Sequence, residues 1–180
     1  MHEQIDWAKL GAEIGLKASY GEYCCGSDDA RRALEWIVGE DVLRASVDYC
    51  VEHRFACELA RAVLWQLHPF SAMLRCYEIF KSSESCESRR AAVELLRVVA
   101  DGRAMTWISE FLEDEDALVQ VWGIGVLDQL LWSNLIETES AEMLLRTAEQ
   151  RRNRSVREQA AFIRSFLASR PGGSESGCRG

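Results

Sequence analysis

Apolar residues recur at spacings of three and four along almost the whole 180-residue chain, and this periodicity limits its fold more than any other feature. Such spacing places apolar side chains on one face of an α-helix, and no segment shows the strict alternation of a half-buried strand. Only two prolines interrupt the pattern. The sequence therefore predicts an all-α protein without a sheet.

Residues that begin and end helices divide this pattern into ten segments. Gly39 can end the second helix and Pro69 the fourth, and Asp114 or Asp116 can cap the helix that begins at Ala117. The predicted helices cover residues 3–20, 28–38, 40–53, 55–67, 70–80, 87–100, 104–112, 117–132, 140–150 and 155–168.

The second helices of the last four helix pairs align on a small residue. Ala60, Ala92, Gly123 and Ala160 correspond, at separations of 32, 31 and 37 residues. The near-constant separation indicates an internal repeat, and it accounts for Gly123 but not for Gly125. Apolar residues follow the small residue by three and by seven positions: Val63, Leu95, Val126 and Ile163, then Leu67, Val99, Leu130 and Leu167. We expect the four small residues and these eight apolar residues to face the core.

In this second-helix pattern the chain resembles the HEAT-like family of α-helical repeats. The resemblance is clearest in the last unit, where Val156 and Arg157 precede Ala160 and Ala161. It implies a right-handed α-α superhelix of about four helix pairs over residues 40–169, with residues 1–39 as an N-terminal helical cap. We therefore expect one helical-repeat domain over residues 1–170 and a disordered tail over residues 171–180.

Several kinds of chemistry are not indicated. The formal net charge of −8 argues against nucleic acid as a ligand, because phosphate binding needs an excess of Lys and Arg. The three histidines, His2, His53 and His68, lie outside any catalytic pattern, and the seven cysteines show no metal-type spacing. We expect no enzyme activity, no catalytic residue, no metal and no cofactor.

Composition also bears on the compartment. The N-terminus lacks the basic and then apolar pattern of a signal peptide. The most apolar stretch, residues 118–132, is interrupted by Gln120, Asp128 and Gln129 and is too short to span a bilayer. These features predict a cytoplasmic protein with reduced thiols and no membrane partner.

If the small residues of the repeat face inward, a second stripe on each second helix faces outward. This stripe mixes aromatic and charged residues, a composition typical of protein-binding surfaces. An alternative remains open, in which the aromatic rings pack on neighbouring helices and the charges are merely solvated. The predicted partner-binding residues are Trp65, Arg97, Asp128, Trp132 and Phe162, together with the acidic run Glu113, Asp114, Glu115 and Asp116, which would steer the partner.

The expected function is non-catalytic protein binding. Small acidic helical-repeat proteins of this kind resemble bacterial immunity proteins, which implies an inhibitor that neutralises a cognate, basic protein toxin. The alternatives are a scaffold or assembly factor for an enzyme complex and, with less support, a HEAT-like DNA glycosylase or a bilin lyase. Asp128 and Trp132 on one stripe give the glycosylase its only support.

Overall fold

The computed structural model describes residues 5–13 and 28–169. These residues form ten α-helices and no strand, so the predicted all-α class is confirmed. Part of the first predicted helix and the whole predicted tail lie outside the described residues. The helices are α1 (Trp7–Glu13), α2 (Asp28–Val38), α3 (Glu40–Val51), α4 (Cys57–Leu67), α5 (Phe70–Ser82), α6 (Cys86–Val99), α7 (Ile108–Glu113), α8 (Ala117–Trp132), α9 (Thr138–Glu149) and α10 (Arg154–Ser169).

Local signals in the sequence explain most of the helix ends. The Asp116 carboxylate caps α8 by accepting hydrogen bonds from the backbone N–H groups of Leu118 and Val119, at 2.9 and 3.1 Å. Gly39 separates α2 from α3 with a φ of 93°, a conformation that favours glycine. The predicted segment 104–112 differs, because it begins as a 3-10 helix over Gly102–Trp107 before α7.

The helices pack in consecutive pairs, α3 with α4, α5 with α6, α7 with α8 and α9 with α10. The second members also contact one another in order, from α4 through α6 and α8 to α10. Helix α8 contacts α6, α7, α9 and α10, as expected of a helix that is apolar on nearly every side. The core is continuous from Leu43 on α3 to Ile163 on α10.

One predicted core position is wrong. Val63 was expected to face inward, but its side chain is 48% exposed, while the next residue, Leu64, is completely buried. Helix α4 packs mainly on α3 and α6. It has another second helix on one side, whereas α6 and α8 each have one on both sides. Its buried arc is therefore narrow and is centred on Leu64, with Ala60 and Leu67 half-buried beside it.

Helix α2 is joined to the first turn of α5 by hydrogen bonds. The buried Glu35 carboxylate accepts hydrogen bonds from the backbone N–H groups of Phe70 and Ser71, the latter at 3.3 Å. These two groups lack partners inside α5, because they belong to the first turn of the helix. A residue of α2 thus completes a helix that begins 35 residues later.

Candidate functional site

The exposed sides of α4, α6, α8 and α10 form one continuous surface, which we call the even-helix face. Trp65 on α4, Trp132 on α8 and Phe162 on α10 are 58%, 60% and 59% exposed. Arg97 on α6 and Asp128 on α8 are partly exposed between them. The stripe that the sequence indicated therefore faces outward, and each of its three aromatic side chains is more than half exposed.

A groove of about 410 Å³ crosses this face between α4, α6 and α8. Trp65 forms one side, and Arg97 and Gln129 lie on the helices opposite. A hydrogen-bonded ion pair between Arg61 Nη2 and Glu94 Oε1, at 3.0 Å, joins α4 to α6 at the groove. The structure thus brings Trp65 and Arg97 into one concave site.

The position of Arg97 is fixed by α8. Its guanidinium carbon lies 5.2 Å from the centre of the Trp122 ring, a cation-π contact. A Cβ added at Gly125 would lie 3.0 Å from Arg97 Cδ and 3.1 Å from Arg97 Nε. The glycine that the repeat left unexplained is therefore the place where the Arg97 side chain lies against α8.

Asp128 lies next to this arginine and links α8 to α10. Its Oδ2 accepts a hydrogen bond from Gln159 Nε2 at 2.9 Å. Burial raises the pKa of the Asp128 carboxyl above its ordinary value, while the Gln159 hydrogen bond and the charge of Arg97 oppose that rise. Asp128 thus belongs to the same constellation as Arg97.

The far end of the even-helix face is aromatic. Trp132 stacks on Phe166 of α10, with ring centres 4.8 Å apart and planes 26° from parallel. Phe162 lies one helical turn before Phe166 and is exposed beside it. Sequence reasoning missed Phe166 and Trp122, the two rings that orient Trp132 and Arg97. Gly125, which the repeat did not explain, was the one signal in the sequence for the contact between Trp122 and Arg97.

The acidic run lies apart from these residues. It precedes α8, whereas Trp132 ends α8, which places Asp116 and Trp132 about 24 Å apart along a helix of 1.5 Å rise per residue. Asp116 pairs with Arg90, which is 2.9 Å away from Nε to Oδ1, and Asp114 pairs with Arg89 at 3.6 Å. Both aspartates are largely shielded from solvent by these contacts.

The other two acids of the run are exposed and are also paired. Glu113 contacts Arg151 at 3.1 Å, and Glu115 contacts Arg89 at 3.4 Å. Four carboxylates thus face three guanidinium groups, those of Arg89, Arg90 and Arg151, which leaves a local charge of −1 (four minus three). The run is mainly a structural junction between α6, the start of α8 and the turn before α10.

Two cysteines of the described residues, Cys50 and Cys76, are poor nucleophiles. Burial raises the pKa of the Cys50 thiol to about 11 and raises that of Cys76 still further. Both thiols therefore remain protonated at neutral pH. Residues 5–13 and 28–169 contain no group of three or more His, Cys, Asp or Glu side chains placed to hold a metal ion.

No protein-family model, curated protein or solved structure matches this chain. In the described part of the chain, no helix is both long enough and apolar enough to cross a lipid bilayer.

Proposed function

We propose that this chain is a non-catalytic protein-binding module and that its partner docks on the even-helix face. The supporting observation is the exposure of Trp65, Trp132 and Phe162, three large aromatic side chains on three helices of one surface. Large aromatic residues in a polar surround are the usual anchors of protein interfaces. The charged residues Arg97 and Asp128 lie between them and can select among partners.

We further propose that α3 to α10 are four HEAT-like units of a right-handed superhelix, with the even-helix face on its inner curve. Equivalent helices of successive units are joined by side chains 31 to 34 residues apart, close to the repeat length. The joining pairs are Arg44 with Glu78, Arg61 with Glu94, Tyr77 with Glu110, and Asp128 with Gln159.

The narrower proposal is a cytoplasmic inhibitor of a basic protein toxin, of the immunity type. A net charge of −8 accelerates encounter with a cationic partner through long-range attraction. A scaffold for an enzyme complex would use the same surface. The two functions differ in their consequence, since an inhibitor abolishes the activity of the bound partner and a scaffold leaves it intact.

The docking surface is tested by capturing the partner from the native cell and measuring binding kinetics with the purified pair. Trp132→Ala and Trp65→Ala should each raise the off-rate, by about 2 kcal/mol or roughly thirtyfold for a true anchor. Met143→Ala is the matched control, because Met143 is 78% exposed but lies on α9, outside the even-helix face. Folded tryptophan variants that bind like wild type would refute this docking surface.

The steering role of the acidic run is tested separately. Glu113→Gln with Glu115→Gln removes its two exposed charges, while Asp114 and Asp116 stay unchanged because Asp114 pairs with Arg89 and Asp116 caps α8. The on-rate should fall, and the fall should shrink at high salt, where the Debye length is short. The matched control removes Glu137 and Glu139, two exposed acids at the start of α9. If the on-rate falls equally in the two double variants, steering does not depend on the run.

A further inference from the structure

Arg97 differs from the other arginines of α4 and α6 in having no carboxylate at ion-pair distance. Arg61 pairs with Glu94 and Arg90 with Asp116, each within 3.0 Å. Within the described residues, no Asp or Glu oxygen lies within 4.0 Å of an Arg97 nitrogen, although Asp128 is near enough to interact electrostatically. The groove therefore contains a cation whose strongest possible contacts are unused.

The side chain is held ready for a ligand. Trp122 supports the guanidinium, and the missing Cβ of Gly125 lets the Arg97 chain lie flat on α8. Arg97 Nε is buried there without a hydrogen-bond partner. The donors that a ligand can reach are consequently the two terminal nitrogens. A pre-oriented guanidinium loses little side-chain entropy on binding.

We propose, building on the protein-binding function above, that the groove receives an Asp or Glu side chain of the partner protein and that Arg97 binds its carboxylate through both terminal nitrogens. The planar fork of arginine matches a carboxylate. The Gln129 amide can donate a further hydrogen bond, and Trp65 can cover the aliphatic part of the partner side chain.

The surrounding charges favour this occupant over a phosphate group. Glu58 lines the groove and Asp128 lies beside Arg97, so the site holds two acids around one unpaired cation. A phosphate that carries close to two negative charges would be repelled more strongly than a singly charged carboxylate. The same two acids attract basic residues on either side of the inserted one, which fits an otherwise basic partner.

The experiment uses the full chain labelled with ¹⁵N and follows the Nε–H signal of Arg97 and the indole N–H signals of Trp65 and Trp122 by NMR. The probes are acetate, its neutral analogue acetamide, and inorganic phosphate, at constant pH and ionic strength. Acetate should shift these signals saturably, and acetamide should not. Arg97→Gln should weaken acetate binding by about tenfold or more, which is the scale of a lost pair of charged hydrogen bonds. Because this variant lacks the Arg97 signal, its binding is followed on the tryptophan signals.

Arg152→Gln is the control, since Arg152 is exposed and also lacks a carboxylate within 4.0 Å among the described residues. It should bind acetate like wild type. The proposal fails if acetate gives no saturable shift, if phosphate binds in its place, or if the control variant loses as much as Arg97→Gln. These failures leave the docking surface standing if the tryptophan variants release the partner. Acetate binding with unaffected tryptophan variants would leave a carboxylate site at Arg97 but would overturn both the docking surface and the partner side chain as its occupant.

Discussion

A methyl group added at Gly123 should destabilise the protein, while the same addition at Gly125 should not. Both glycines lie in the middle of α8, so alanine gains about 1 kcal/mol of helix propensity at either position. The packing around them differs. A Cβ at Gly123 would lie 2.5 Å from Phe111 Cβ, far inside the usual carbon contact distance of about 3.5–4.0 Å.

Phe111 has no room to withdraw. It is completely buried, and its ring packs edge-on against Phe80 with centres 4.8 Å apart. The clash involves its Cβ, so no change of rotamer relieves it, and α7 must move away from α8. Overpacking of this kind costs about 3 kcal/mol at the upper end of its usual range. After the propensity gain, Gly123→Ala should lower the free energy of unfolding by about 2 kcal/mol.

The Gly125 variant meets only the flexible chain of Arg97. The guanidinium can swing outward, with loss of a cation-π contact worth about 0.5–1 kcal/mol near the surface. That loss is offset by the propensity gain, so Gly125→Ala should match the wild type within about 0.5 kcal/mol. Urea denaturation gives the free energy of unfolding of both variants. An equal dependence of that free energy on urea concentration would show that the unfolded states are comparable. A Gly123→Ala protein as stable as the Gly125→Ala protein would refute the close α7–α8 contact.

Three further changes test the core, the caps and the N-terminal attachment by the same denaturation assay. Leu130→Ala should cost about 2–5 kcal/mol, because Leu130 is completely buried on the central helix; a loss below about 1 kcal/mol would contradict that position. Asp116→Ala should cost about 1–2 kcal/mol through the lost cap. Since Arg90 and the cap hold the pKa of Asp116 at about 2, below its ordinary value, its contribution is complete at neutral pH and is lost as the pH falls from about 4 to about 2, where the deficit of the variant should shrink. Glu35→Ala should cost about 1–3 kcal/mol by leaving two backbone donors of α5 unpaired, whereas Glu40→Ala, at an exposed site, should stay within about 0.5 kcal/mol.

The helices could be predicted because their signals are local. Apolar spacing, Gly39, Pro69 and the caps mark most ends within a few residues of the observed ones. The buried arc of each helix depends on which neighbours cover it, and this information is not local. The repeat alignment assumed the same phase for every second helix, which holds for Val126 but not for Val63 on the less covered α4.

The candidate site likewise has features that follow from the local sequence and features that depend on how the helices pack. The outward direction of Trp65, Trp132 and Phe162 follows from helical periodicity once the inward stripe is known. The support of Arg97 by Trp122 does not, because it depends on how closely α6 approaches α8. A glycine that the repeat does not require was the only trace of that contact in the sequence.

The acidic run shows why charge counted along a sequence overstates charge in space. Glu113 to Asp116 form the densest acidic segment of the chain, yet arginines from α6 and from the turn before α10 neutralise all but one of its charges. Paired charges cancel beyond a Debye length of about 8 Å, so they add little to a long-range field. Exposed acids that lack such partners also contribute to the field that attracts a basic partner, and Glu58 is one that lines the groove. The run and the even-helix face would then attract the partner together, while docking takes place on the even-helix face.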